Sequence, residues 1–452
     1  MSPDELLGFC CESVARATKL GADQAEVCAS SLCESKVNIE SDDIGTAEAH
    51  EEENFGIRVR RAGSTGFAAT NDASPAAIDE AIEAALALAR VTPPDPHDAI
   101  AEPEPASPVK GLYDPALEEL DVARVGRICG ELVSRVRAID ARARLDSGWV
   151  SASSSVSALA SSTGAEVCER ASDAEALLFG MAVDGDRVGS FDMEEASVCS
   201  LAEFESELET VPERFVRRVL SALEAGPGKT FRGTLVLSPE AVAEFVLPAL
   251  ADALSSQSVR TGSSLLAGKL GEQLFSRSLT LVDDATLPGR PGSSAFDREG
   301  LAHRRLMLID SGTPCEYLYN SREARAAGRL SGSTRHASGG ARTPPGIGPT
   351  NLLLAPGELD RDALLGEVEQ GVLLQRFSGN TDPISGDFSG VAKGSFLLAR
   401  GEPPRPITET LLSGNLFELL RQVSGIGREL RWIGGSVCSP MLRLEGVSVT
   451  SG

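Results

Sequence analysis

Aromatic residues are scarce, at 4% of 452 residues, with two Trp and three Tyr among them. The cores therefore have to be built from Leu, Val, Ile and Ala. Cations are also short: 42 Lys+Arg face 66 Asp+Glu, for a formal charge of −24. There is no basic run, and no aromatics are interleaved with basic residues. Binding to a phosphate backbone or to an anionic membrane surface is disfavoured. A basic or neutral protein partner, or a basic peptide substrate, suits this charge. No apolar run approaches the ~18 residues that suggest a membrane span. The start of the chain also lacks a basic-then-apolar leader pattern, so a cytoplasmic protein is expected. The nine Cys are odd in number and include no Cys-x-x-Cys pair. That excludes a simple disulfide framework or zinc ribbon and favours reduced, mostly buried thiols.

Histidines number four: His50, His97, His303 and His336. A zinc helix needs two imidazoles about one turn apart on one face, with Glu beside the first. No two of these lie so close. His50-Glu51 starts in that way, but Phe55 stands where the longer spacing needs the second His. Gly228-Lys229-Thr230 resembles the end of a phosphate-binding loop, yet Leu223 occupies the position of its first Gly. No Gly-x-Ser-x-Gly elbow occurs, and Gly434-Gly435-Ser436-Val437-Cys438 fails at its last position. Cys438 is a nucleophile for an independent hydrolase only if a His meets it in space. Otherwise it is a buried thiol.

What is present reads as an α+β protein of two domains, 1–225 and 226–452. Ser2-Pro3-Asp4-Glu5 opens a helix with a capping box, and Leu6, Cys10, Val14 and Ala17 share its apolar face. Strands over 25–40, 55–59 and 66–69 and a helix from Ser74 to Arg90 give the order α-β-β-β-α. Residues 91–108 hold six Pro and form a loop wrapping the first domain or a linker. A helix over 121–139, short strands to about 195 and a helix over 201–225 complete a domain with a mixed sheet and flanking helices. Gly226-Pro227-Gly228 breaks the chain. Beyond it the pattern is β-rich: a helix capped by Ser238-Pro239, a hairpin around Asp310-Ser311-Gly312, and strands over 351–355, 371–377, 394–399 and 441–449. Residues 331–350, rich in Ser, Gly, Arg and Pro, read as a mobile loop.

The segment from Asn380 to Gly390 clusters Asn, Asp, Ser and Gly between two strands. Such residues make tight turns, or they present backbone amides to an extended peptide. Both readings stand on the residues alone.

Several segments resemble the TldD/PmbA family in order and spacing. Near the start these are Gly21-Ala22-Asp23-Gln24-Ala25-Glu26-Val27, Phe55-Gly56-Ile57-Arg58-Val59 and Gly63-Ser64-Thr65-Gly66-Phe67-Ala68. Further on come Gly271-Glu272, Tyr317-Leu318-Tyr319-Asn320, Thr350-Asn351-Leu352 and Pro356-Gly357-Glu358. The most specific match is Ser385-Gly386-Asp387-Phe388-Ser389 followed by Gly394-Ser395-Phe396.

The resemblance implies one of two chain types. TldD-type chains carry a His-Glu-x-x-x-His helix that binds zinc and hydrolyses peptides. TldE/PmbA-type chains share the fold, lack that helix and pair with a TldD-type chain. The corresponding helix here, Ala241 to Leu254, contains no His. The resemblance therefore implies a TldE-type subunit with no cofactor of its own and zinc in its partner. The substrate it implies is a small or modified peptide, or a peptide-like conjugate in a natural-product pathway. Asn351, Asn380, Ser385, Gly386, Asp387, Phe388 and Ser389 become candidates for substrate or interface contact. A peptide-binding homodimer is the alternative assembly.

Overall fold

Ser2 caps the first helix, α1 (Pro3–Lys19). Its hydroxyl accepts from the Glu5 amide at 3.4 Å, and the Glu5 carboxylate accepts from the Ser2 amide at 2.8 Å. The pair satisfies two donors that no helical carbonyl reaches. Strands β1 (Gln24–Glu40), β2 (Asp43–Arg61) and β3 (Ser64–Thr70) follow, then α2 (Pro75–Val91), in the expected order. The computed structural model describes residues 1–329, 335–408 and 410–451.

Helix α3 (Val122–Ile139) leads into β4 (Ala143–Ser161), β5 (Glu166–Asp184), β6 (Asp192–Val198) and α4 (Leu201–Ser221). β4 and β5 run for 19 residues each, where short strands were expected. Their period-two pattern is carried by small residues, Ser151, Ser153 and Ser155 against Ala152, Val156 and Ala158, so hydropathy hides their length. The sheet order is β3-β2-β1-β4-β5, with β6 on the far side of β5. Every pairing is antiparallel. The α+β class holds, but the mixed sheet expected in this domain is corrected. Parallel neighbours need long crossovers, and the turns that join β1 to β2, β2 to β3 and β4 to β5 are tight. Ser41 and Asp42, both at positive φ, join β1 to β2, and Ala62-Gly63 join β2 to β3.

Helices cover only one face of this sheet. α1 and α2 pack on Val27, Ala29, Phe55 and Ile57, while α3 and α4 pack on Val37, Val150, Ala174 and Leu178. Burying each such Leu, Ile or Phe contributes roughly 1.5–3 kcal/mol. The β3–α2 approach depends on Gly66, where a Cβ would lie 1.9 Å from the Ala85 carbonyl oxygen. The opposite face carries the alternate residues of the same strands, among them Glu26, Glu34 and Lys36 on β1.

The core clusters divide between Leu223 and Phe231. In the second half, β7 (Phe231–Leu237) enters a continuous helical segment, α5. It comprises Pro239–Ala241, a π-helical stretch Val242–Val246, and Leu247–Ala253. The strands that follow are β8 (Leu281–Asp284), β9 (Arg305–Asp310), β10 (Leu352–Leu354), β11 (Gln370–Leu374), β12 (Arg376–Thr381), β13 (Asp387–Lys393), β14 (Ser395–Ala399) and β15 (Thr410–Asn415). Helix α6 (Leu416–Arg421) and strands β16 (Arg431–Ile433), β17 (Val437–Ser439) and β18 (Leu442–Ser451) end the chain. The larger sheet runs β12-β13-β15-β18-β7-β11-β14, and a second groups β9-β8-β10-β17-β16. Parallel pairs occur in this half, between β7 and β11 and between β10 and β17.

Buried ion pairs join the halves. Arg58 of β2 lies 2.8 Å from Glu26 and 3.4 Å from Glu299, and Arg298 reaches Glu26 at 3.0 Å. All four are almost inaccessible to solvent. The Pro-rich segment wraps the first domain and is tied to the second. Arg325 donates to the carbonyls of His97, Ala99 and Ile100, and Arg335 pairs with Glu104. Of the loop expected over 331–350, residues 331–334 lie outside the described residues. From Arg335 onward it is anchored instead of mobile. His336 is buried and residues 337–338 pair with 346–347, because polar side chains here find buried partners. Among the described residues no helix is long and apolar enough to cross a membrane.

Candidate functional site

Ser238 starts α5 by accepting from the Ala241 amide at 3.2 Å, with Pro239 in the first turn. Ala241, Val242, Phe245, Val246, Leu247 and Leu250 face the core. No His stands between Pro239 and Ala253, and the acidic side chains near its start are Glu240 and Glu244. Glu240 is gripped by Arg218 of α4 and Arg431 of β16. Burial alone would raise its carboxyl, but these two guanidiniums outweigh burial and hold it below the usual range. Glu244 lies 3.6 Å from Arg376 of β12, and burial raises its carboxyl. Among the described residues no three His, Cys, Asp or Glu side chains gather so as to hold a metal ion. The residues at this helix do not fit zinc: two carboxylates each matched to arginine offer no free ligand pair.

The Asn/Asp/Ser/Gly segment is the turn of the β12–β13 hairpin. Asp382 accepts from the Ile384 amide at 2.8 Å, and its own amide donates to the Asp387 carbonyl at 2.8 Å. Asn415 donates to the Ser385 carbonyl and to the Asp387 carboxylate, each at 2.8 Å. Gly386 sits at φ +79°, and a Cβ there would lie 2.2 Å from the Phe417 ring. Ser385 and Gly386 thus shape the turn. Phe388 is buried against Phe245 and Phe377, so it joins the core that carries α5. Asn380, Asp387 and Ser389 are exposed, with Asn380 opposite Ser389 in register.

Asn351 is fully buried. Its side-chain amide donates to the Asp284 carbonyl at 2.7 Å and to Ser293 at 2.8 Å. It fastens two loops together. The structure thus separates Asn351 from the hairpin residues.

Next to the hairpin turn lies a cleft of about 630 Å³. Pro383 and Ile384 form one wall, and Ile347 and Pro349 another. Asp252 at the end of α5, with Ser255, Gln257, Ser258, Thr261 and Ser263 after it, supplies a floor rich in hydroxyl and amide groups. Such a surface hydrogen-bonds an extended polar chain, and its one carboxylate, Asp252, accepts from the Ser258 hydroxyl at 3.2 Å. Sequence reading missed this segment, whose only signal was its run of Ser and Thr after the helix. It also missed Arg376, which lies next to a strand end and far in sequence from Glu244.

The other candidates fall elsewhere. His336 lies 3.0 Å from Asp283, whose carboxylate also accepts from the Thr350 amide and hydroxyl at 2.8 and 2.9 Å. Burial, aided by His336, pushes the His303 pKa down to about 4. His50 and His97 sit in the first domain. Cys438 is buried in β17, opposite Leu353 and Trp432, and burial raises its thiol above the ordinary value. A raised, buried thiol is a poor nucleophile.

Two family models match the chain. One, described as the PmbA/TldA metallopeptidase C-terminal domain, covers residues 230–451, and the other, PmbA/TldA metallopeptidase domain 1, covers residues 25–89. Metalloprotease PmbA from Escherichia coli O157:H7 is 28% identical over 461 residues, spanning 96% of each chain. A metalloprotease from Methanothermobacter thermautotrophicus is 33% identical over 228 residues, 50% of this chain and 49% of that one. The crystal structure of TldE from Thermococcus kodakarensis superposes with a TM-score of 0.88 at 23% identity. It covers 98% of this chain and 100% of the other, a likeness of fold.

Proposed function

Because this chain belongs to the PmbA/TldD metallopeptidase family, we propose that it is the TldE-type subunit of a two-chain peptidase. It contributes the substrate-contacting wall of the chamber and no metal of its own. One observation carries this reading: α5 holds no His, and Glu240 and Glu244 at its start are matched to arginines. Zinc supplies a hydroxide near neutral pH and polarises the scissile carbonyl. It requires a set of free ligands that this helix does not offer.

What the chain offers is a place for substrate. The hydroxyl-rich cleft behind the hairpin turn suits the backbone of a small or modified peptide. The exposed Asn380, Asp387 and Ser389 lie on the hairpin that flanks it. The partner in this reading is a TldD-type chain that brings the zinc, and both work in the cytoplasm. A stable pair of this kind would bury on the order of 2,000 Å².

The test is co-expression with a TldD-type chain of the same source, with purification through a tag on the chain described here. Zinc content and peptide hydrolysis are then measured. The expected result is about one zinc per pair, none in the lone chain, and hydrolysis only by the pair. Zinc or hydrolysis in the lone chain, or a stable homodimer that takes up no partner, would overturn the proposal.

A further inference from the structure

A cleft of about 470 Å³ lies between α4 of the first half and strands of the second, with Glu240 in its lining. Its arginines fall into two sets. Arg214, Arg218 and Arg431 are held inside the protein. Arg214 lies 2.7 Å from Glu194, Arg218 lies 3.1 Å from the same carboxylate, and Arg431 pairs with Glu194 and Glu240. Arg217 of α4 and Arg361, the first residue of the short helix Arg361–Gly366, differ. Both line the cleft, both are exposed, and neither side chain has a partner among the described residues. α4 turns Phe215, Val216 and Val219 into the core, which leaves Arg217 on its outer side.

The rest of the lining supplies unlike groups. Glu429 is exposed, and its carboxylate has no partner among the described residues. Phe396 of β14 and Met441, both half-buried, pack on a small apolar cluster that includes Leu373. All three line the cleft and give it an apolar wall. One solvated arginine at a surface is ordinary. Here a guanidinium from each half, one unmatched carboxylate and an apolar wall surround a single cavity of ligand size. Guanidinium forks match a carboxylate, and a carboxylate accepts from an ammonium.

We infer that this cleft binds a zwitterion with an apolar side chain, a free α-amino acid or a dipeptide. Its carboxylate lies between Arg217 and Arg361, its ammonium meets Glu429, and its side chain rests on Phe396 and Met441. The cleft shares no lining residue with the hydroxyl-rich one beside the hairpin turn. It is therefore a second site. Water that cleaves a peptide bond leaves one new carboxylate and one new ammonium, so peptide hydrolysis ends in ligands of this class. Calling the zwitterion a product rests on the proposed function, whereas the site itself rests on its lining.

The test is titration calorimetry on the purified full chain alone, so its outcome is separate from that of the co-expression experiment. The probes are leucine, leucyl-leucine, and the N-acetylated and C-amidated form of each. The expected result is saturable binding of at least one zwitterion, the tighter of the two naming the source. Its acetylated and amidated forms should each bind at least about tenfold more weakly, the scale of one lost charge-assisted hydrogen bond. Arg217→Gln with Arg361→Gln should make the zwitterion bind no better than its amide. Glu429→Gln should tighten the acetylated form, because it removes a carboxylate that repels this anion, a gain that loss of structure would not produce. No saturable binding of either zwitterion, equal affinity for a zwitterion and its amide, or a preference unchanged in Arg217→Gln/Arg361→Gln would overturn the inference.

Discussion

Arg58 and Glu299 meet 3.4 Å apart, although 241 residues separate them in sequence. Each comes from a different half of the molecule, and neither has water to fall back on. Arg58 also holds Glu26, and Arg298 holds Glu26 from the other side. Glu299 accepts from the Ser321 amide at 2.7 Å, so the network extends into the second domain. Truncating one member of such a set strands its partners as buried, uncompensated charges. Glu26→Ala is expected to lower unfolding free energy by about 3–5 kcal/mol, read by urea denaturation followed by circular dichroism. A loss below about 1 kcal/mol would mean that water or rearrangement satisfies both arginines.

His303 makes stability depend on pH. Its folded pKa is about 4, against about 6.5 in an unfolded chain. Between these values the unfolded chain binds the extra proton. The contribution of neutral His303 is therefore complete above pH ~6.5 and lost as pH falls toward 4, at most about 3 kcal/mol. His303→Gln should remove this part of the acid sensitivity. Denaturant midpoints for both proteins at pH 7.5 and 4.5 check it, and equal drops in the two would refute it.

Thiol reactivity should follow burial. Cys33 and Cys315 are exposed, whereas Cys10, Cys129, Cys199 and Cys438 are buried. Burial pushes Cys129 up to about 11 and Cys199 up to about 12, which leaves almost no thiolate near neutral pH. A colorimetric disulfide reagent should modify Cys33 and Cys315 quickly and the four buried thiols only after unfolding. Fast modification of Cys438 in the native protein, identified by peptide mapping, would revive it as a nucleophile.

The hairpin turn is expected to respond as structure at two positions and as surface at two others. Gly386→Ala places a methyl in the Phe417 ring at positive φ and should cost on the order of 1–3 kcal/mol. Asn415→Ala removes the α6 cap and two bonds to the turn, for about 1–2 kcal/mol. Asn380→Ala and Ser389→Ala, both exposed, should stay within about 0.5 kcal/mol. If they nonetheless raise the KM of the two-chain enzyme for peptide, the hairpin contacts substrate. An unchanged KM assigns the segment to folding alone.

Much of the local structure was legible in the chain. The Ser2–Glu5 capping box, the Ser74 and Ser238 caps and the turn at Asp310–Gly312 are short-range chemistry, set by residues within four positions of one another. The lack of His between Pro239 and Ala253 is likewise a property of the sequence, and it carries the functional reading. Tertiary structure decided the rest. Alternation shows that Ser153 and Asp173 are out of phase with their apolar neighbours, but not that they meet across adjacent strands. Asn351 and Phe388 became candidates through the family resemblance, which marks positions and says nothing of their exposure or burial. Only packing put both inside. The length of β4 and β5 escaped because Ser and Ala differ too little in hydropathy to mark a strand's faces. Arg58, Glu26, Arg298 and Glu299 are unremarkable in sequence. They became a network when the two halves closed on them, since long-range charge pairing is fixed by which surfaces the fold brings together.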